Sequence, residues 1–225
     1  MLAYIQNCPK CNTDKNLKNV KRPMKIITIE EGPHFRVQMD IWYINEDIAK
    51  ICGYNYMLDI IDVFSKFIFS YVLINKTADE VLIALRKYIL SFGKFKKLQI
   101  DNGLEFRNTI IKNFCIENDI ERIFSPPYQP QANGAVEDVH KTIQKFINDY
   151  FYTSDGKNFS IEKAILDAIE YHNFTKHSST KYIPWDLKDT TDIKLIEEVK
   201  NNIKNTVGKK FLKIMNCYWK MAINY

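Results

Sequence analysis

The chain has 225 residues, 46% apolar and 13% aromatic, enough to bury a sizeable core and to exclude a wholly disordered segment. The 32 Lys and Arg against 27 Asp and Glu leave a formal charge of +5, a lean toward polyanionic partners that many soluble proteins share. No apolar run reaches membrane-spanning length, and MLAYIQNCPKCNTDK at the start lacks the apolar stretch of a signal peptide, so a soluble intracellular protein without a membrane partner is expected. The five cysteines, at 8, 11, 52, 115 and 217, are odd in number and only Cys8 and Cys11 are close, which argues against a secreted disulfide framework.

Residues 1–33 are polar, carry Pro9, Pro23 and Pro33, and show little periodicity, so they are expected to form an N-terminal attachment and linker. A main domain over 34–187 then opens with FRVQMDIWYI (35–44), where Val37, Met39 and Ile41 alternate with Gln38, Asp40 and Trp42 as in a half-buried strand. YNYMLDIIDVFSKFIFSYVLI (54–74) is rich in β-branched and aromatic residues and breaks at Ser65 and Lys66, giving two more antiparallel strands. The period changes over 77–93. Thr77 can cap a helix, Asp79 and Glu80 suit its first turn, Val81, Leu82, Leu85, Tyr88 and Ile89 make its apolar face, and Gly93 can end it. A short strand is expected at 96–101, a helix at 109–119, a strand at 121–125, and a long helix with Val136, Val139, Ile143, Ile147 and Tyr150 on its apolar face. Further helices are predicted at 160–175 and 192–205, the second within a short, basic, helical tail over 188–225 that carries Lys209, Lys210 and Lys213. The fold class is α/β: a mixed five-stranded sheet, three antiparallel strands then two parallel, flanked by helices and followed by a helical C-terminal extension.

Three acids occupy positions where such a sheet collects ligands: Asp40 in the middle of the first strand, Asp101 at the carboxyl end of a strand that follows a crossover helix, and Glu137 in the first turns of the long helix. Taken singly, each is an ordinary strand-end or helix-face acid. Together they would make poor acid/base partners, because close like charges resist joint ionisation. Oxygen donors suit Mg²⁺ or Mn²⁺ instead, and two such ions about 3.5–4 Å apart can clamp the attacking and leaving oxygens of a displacement at phosphorus.

The residues around these acids are VQMDIW at Asp40, IDNGLEF at 100–106 and SPPYQPQANGAVEDVHK at 125–141, with 35 residues between Asp101 and Glu137. In order and spacing they resemble the catalytic core of retroviral and LTR-retrotransposon integrases of the gypsy type, polynucleotidyl transferases with a ribonuclease H-like fold and a D,D(35)E signature. YHNFTKHSSTKYIPWDL (171–187) is similar to that family's segment of an asparagine, a His-Ser-Ser cluster and a Pro followed by an aromatic residue, and CPKC to the second half of its His-His-Cys-Cys zinc module. The resemblance spans roughly residues 8–187. It implies Asp40, Asp101 and Glu137 as catalytic metal ligands for two Mg²⁺ or Mn²⁺ ions. It implies that Tyr128, Gln131, Asn133 and Gly134 belong to a mobile loop that positions DNA ends, that Lys141 contacts DNA, and that His140 does so where relatives often carry Asn. Asp62 is typical of the family's second strand and is not a metal ligand there.

The implied function is metal-dependent 3′-end processing and strand transfer, a nuclease and transferase activity on element ends and target DNA, performed by a homo-oligomer and nuclear in a eukaryotic host. Cys8 and Cys11 supply two of the four ligands a structural zinc needs, and none of His34, His140, His172 or His177 stands where the other two belong. Residues 1–33 are therefore read as a zinc-module remnant, with zinc not expected from this chain alone. The tail looks short for the β-barrel or chromatin-reading extension the family usually carries. The alternative is a truncated or domesticated protein that binds DNA or scaffolds partners without catalysis; an insertion-sequence transposase shares the acids, but the CPKC and HSSTKYIP segments favour the retroelement.

Overall fold

The computed structural model describes residues 31–126, 134–153 and 159–206. Strand β1 (Arg36–Tyr43) alternates as expected, with Val37, Met39 and Ile41 on one face and Gln38, Asp40 and Trp42 on the other. A helix not foreseen from the sequence follows: α1 (Glu46–Cys52), capped by Asn45 through the amide of Asp47, opened by Glu46 and Asp47, and ended by Gly53 at φ 77°. Strands β2 (Tyr56–Asp62) and β3 (Ile68–Leu73) flank the predicted turn, where Lys66 takes φ 67° and Asp62 accepts hydrogen bonds from the Ser65 amide and hydroxyl. A buried carboxylate holding a turn in this way is a structural device.

Helix α2 (Ala78–Phe92) is capped by Thr77 and stops at Gly93, whose φ of 90° favours a residue without Cβ. After it come β4 (Lys97–Ile100), α3 (Thr109–Glu117, capped by Asn108), β5 (Glu121–Phe124), the 20-residue α4 (Gly134–Thr153), α5 (Ile161–Phe174, capped by Ser160) and the short α6 (Pro184–Leu187). Residues 193–206 are helical, as predicted. The sheet order is β3-β2-β1-β4-β5, with β1, β2 and β3 antiparallel and β1–β4 and β4–β5 parallel. This is the predicted arrangement of three antiparallel and two parallel strands.

Each sheet face has its own core. Leu58, Ile60, Leu98 and Ile100 join Val37, Met39 and Ile41 beneath α2 and α3, where Leu85, Tyr88 and Phe114 close the layer. On the opposite face Met57, Ile61 and Ile68 meet Val136, Val139, Ile143 and Ile147 of α4 and Ala164, Ile165 and Ala168 of α5. Phe64 joins Leu187, Val199 and Ile203 in a third cluster, which docks the 193–206 helix. The outer edge of β3 is closed by buried Asn173 of α5, whose side-chain oxygen accepts from the Ile68 amide and whose NH₂ donates to the Ile68 carbonyl, both at 2.9 Å. Capping an edge strand with a side-chain amide satisfies groups that would otherwise invite another chain.

Candidate active site

The three predicted acids all lie within the described residues. Asp40 stands at the centre of β1 on the face that carries Gln38 and Trp42, and its Oδ1 accepts a hydrogen bond of 2.8 Å from the Ile41 amide. Asp101 follows Ile100 at the end of β4, parallel to β1, and its Oδ1 accepts from the Gly103 amide at 2.8 Å. Glu137 sits in the first turn of α4, which Val136, Val139, Ile143 and Ile147 pin to the sheet.

The Asp40 carboxyl is pushed up to about 6, first by burial, with the Ile41 amide opposing; the charge of Asp101 raises it further, Lys76 lowers it and Glu137 raises it. Asp101 and Glu137 are thus each within electrostatic reach of Asp40. Among the described residues, no three His, Cys, Asp or Glu side chains converge into a ready cation cage. The donor set nevertheless fits a hard divalent cation: it is all oxygen, partly desolvated, and strained by its own like charges, which a cation relieves.

The loop after Asp101 is closely built. The carboxyl group of Glu105 folds back so that a Cβ on Gly103 would meet it at 2.6 Å, and Glu105 forms an ion pair with Lys76 in the loop between β3 and α2. Asn102 donates to the Ser125 carbonyl at 2.9 Å, which ties this loop to the end of β5. Gly103 therefore serves a close approach, with the Lys76 ammonium held at the rim of the acid cluster.

Behind Asp40 lies a feature that local sequence did not reveal. Asp59 of β2 pairs directly with Asp40 across the antiparallel ladder, and its side chain is fully buried. Its Oδ2 accepts from Trp42 Nε1–H at 2.7 Å and lies 3.4 Å from His140 Nε2. His140 Nδ1 lies 3.8 Å from Asp40 Oδ2, and the Trp42 and His140 rings are 5.9 Å apart. Burial pushes the Asp59 carboxyl up to about 7, against the pull of Ser70 and Trp42 and with the help of Asp40, and it pushes His140 down to about 4. His140, expected to touch DNA, thus has only 13% of its side chain exposed and faces the acids. Lys141 is 77% exposed, 3.6 Å from Asp138, and Gly134 is the first residue of α4 with open space around it. Cys8, Cys11, Tyr128, Gln131 and Asn133 lie outside the described residues.

Two signals for the overlooked residues were present. In MLDII, alternation puts residue 59 between Met57 and Ile61 on one face, so an acid there interrupts a core-facing stripe. On α4, residue 140 falls on the stripe of 136, 139, 143 and 147, which predicts an inward ring.

Residues 30–130 match the family described as integrase core domain, a span that holds Asp40 and Asp101 and stops short of Glu137. The Transposon Tf2-3 and Tf2-4 polyproteins of Schizosaccharomyces pombe are each 27% identical to the chain over 188 residues, 82% of this chain and 14% of theirs. The chain therefore spans about a seventh of the length of these curated relatives. Among solved structures, the HTLV-2 integrase catalytic core domain in complex with magnesium superposes with a TM-score of 0.58 at 21% identity, covering 70% of this chain and 98% of that one. The simian T-cell lymphotropic virus intasome in complex with PP2A regulatory subunit B56 gamma gives a TM-score of 0.67 at 20% identity, over 85% of this chain and 66% of that one. The five-stranded sheet with its flanking helices is the ribonuclease H-like integrase core fold, and it holds the stretch, residues 30–130, that matches the integrase core domain family.

Proposed function

We propose that this integrase core is the catalytic part of a retroelement integrase that processes DNA 3′ ends and transfers them to target DNA, with Asp40, Asp101 and Glu137 as the acting residues. The observation that carries the reading is the placing of these three acids, on β1, after β4 and on α4, so that the charges of Asp101 and Glu137 both act on the half-buried Asp40. When bound, two Mg²⁺ or Mn²⁺ ions supply charge neutralisation and Lewis acidity for displacement at phosphorus. The chain's own contribution is positioning. Its three carboxylates would hold the ions; Lys76 at the rim and Lys141 on the exposed side of α4 offer cations to the phosphate backbone.

Tyr128, Gln131, Asn133 and Gly134 are assigned to the DNA ends, and Cys8 with Cys11 to half of a zinc ligand set. Residues 34–187 form the catalytic unit in this reading, flanked by 1–33 and 188–225. The HTLV-2 core carries magnesium, and the simian virus protein assembles as an intasome. By extension this chain works with magnesium, as a homo-oligomer on DNA, and in the nucleus if its host is eukaryotic. No helix among the described residues is long and apolar enough to cross a membrane.

The test is strand joining by the purified chain on a branched DNA substrate with Mn²⁺ or Mg²⁺. Joining is expected in the unaltered chain and absent in Asp101→Asn and Glu137→Gln, whose thermal unfolding should stay close to that of the parent. A folded parent that binds DNA but never joins it would mark the chain as a DNA-binding scaffold, and turnover retained in either variant would refute the site.

A further inference from the structure

Asp59 is poorly explained by stability. It stands in the interior of a sheet face whose neighbours along the strand, Met57 and Ile61, are apolar, and it is flanked by Asp40 on β1 and Ser70 on β3. One oxygen takes the Trp42 indole N–H and the Ser70 hydroxyl on β3 pulls on the same carboxyl, while the buried Nε2 of His140 that faces it, 3.4 Å from Oδ2, has no hydrogen bond of its own. Buried polar atoms without partners cost roughly 1–3 kcal/mol each, and a branched apolar residue would fill the same place at no such cost. A small rotation of the ring closes the 3.4 Å between His140 Nε2 and the Asp59 carboxyl to hydrogen-bond length. The contacts then run in a line, from Asp59 through the two ring nitrogens of His140 to Asp40 Oδ2.

We propose that Asp59 is a positioning residue of the candidate active site: by holding His140 through Nε2 it keeps Nδ1 against Asp40, and so fixes both the Asp40 carboxylate and the turn of α4 that carries Glu137. A carboxylate that orients an imidazole, which in turn orients a metal-binding group, is a recurrent way of preorganising such sites. His140 lies three residues after Glu137, so the two side chains leave α4 on the same side, and whatever anchors the ring also sets the height of Glu137 above the sheet. Trp42 completes the device by fixing the Asp59 rotamer from the side. The inference rests on the proposed function, because it presumes that Asp40 and Glu137 are cation donors.

The experiment uses the full chain and Mn²⁺ as the reporter, with Asp101→Asn marking the part of Mn²⁺ binding that belongs to this site. Asp59→Val and His140→Asn are each expected to weaken that binding about tenfold or more, the usual effect of removing an outer partner of a metal ligand. The double variant should bind no more weakly than the worse single, since both act through one contact line. Asp59→Asn, nearly isosteric and still able to accept from Trp42, keeps the test valid if the valine variant folds poorly, and it too should weaken binding. In the metal-free chain, ¹⁵N spectra should show the His140 ring locked in one tautomer, and the lock should be lost in Asp59→Val. Folded Asp59 variants that bind Mn²⁺ as well as the parent overturn the inference alone, as do additive losses in the double variant or a ring that samples both tautomers in the parent. A parent that binds no Mn²⁺ overturns the cation reading and this inference with it.

Discussion

Asp40 is where the chain trades stability for charge. Its carboxyl sits near 6 in the folded protein against 3.8 for an ordinary Asp, so the folded state binds that proton more tightly than the unfolded chain. The stability this gives is fully present below pH 3.8 and is lost as pH rises through about 6. Asp40→Asn keeps an oxygen for the Ile41 amide and removes the charge; metal-free at pH 7.5 it should be more stable than the parent by about 1–3 kcal/mol in urea denaturation, a gap that closes toward pH 4. An equal or lower midpoint would mean that burial and the neighbouring acids do not press on the Asp40 charge as described. The places of Asp40 on β1, Asp101 after β4 and Glu137 in the first turn of α4 were legible from periodicity and spacing. Asp59 was not, because nothing local says which face of a strand will be dry; only its pairing with Asp40 and the seating of α4 over that face decide it. His140 stood in the sequence as a DNA contact implied by the resemblance; the structure leaves 13% of its side chain exposed and turns the ring toward Asp40 and Asp59, as the helical stripe of α4 foretells.

At the scale of elements, caps made the helices readable: Thr77, Asn108 and Ser160 each accept a backbone N–H of the first turn of the helix they precede. Helix α1 escaped because its seven residues bury only Ile48, too few for a period to show. The part played by Asn173 was equally hidden. It stood in the sequence as one asparagine in YHNFTKH, and its partner Ile68 is 105 residues away. Asn173→Leu should leave both the amide and the carbonyl of Ile68 without partners in a buried setting, at a cost of about 2–4 kcal/mol in chemical denaturation. Faster hydrogen exchange at the Ile68 amide is expected alongside it. Unchanged exchange there would show that α5 does not close the edge of β3.

For the whole molecule, the topology was legible because the order of periods, three strands and then alternating helices and strands, leaves few ways to build a mixed sheet. What could not be read was how the later helices lock onto it. His172 of α5 donates from Nε2 to the Lys66 carbonyl at 2.9 Å, spanning 106 residues to grip the β2–β3 turn, and burial holds its pKa below the usual 6.5. The folded ring stays neutral while the unfolded one gains a proton, so stability present above pH 6.5 is lost as pH falls below it. Replacing the residue in His172→Gln should therefore flatten the loss of stability between pH 7 and pH 5 relative to the parent in urea melts; parallel curves would rule out this ring as a source of acid sensitivity. The two-sided sheet has one more consequence. Gln38, Asp40 and Asp59 all project to one face, while the opposite face of β1 and β2 is built from Val37, Met39, Ile41, Leu58 and Ile60. A slip of one residue in strand pairing would drive the two carboxylates into that apolar layer and turn its aliphatic side chains outward. The buried acids thereby proofread the assembly of the sheet itself, penalising each misaligned pairing of its strands.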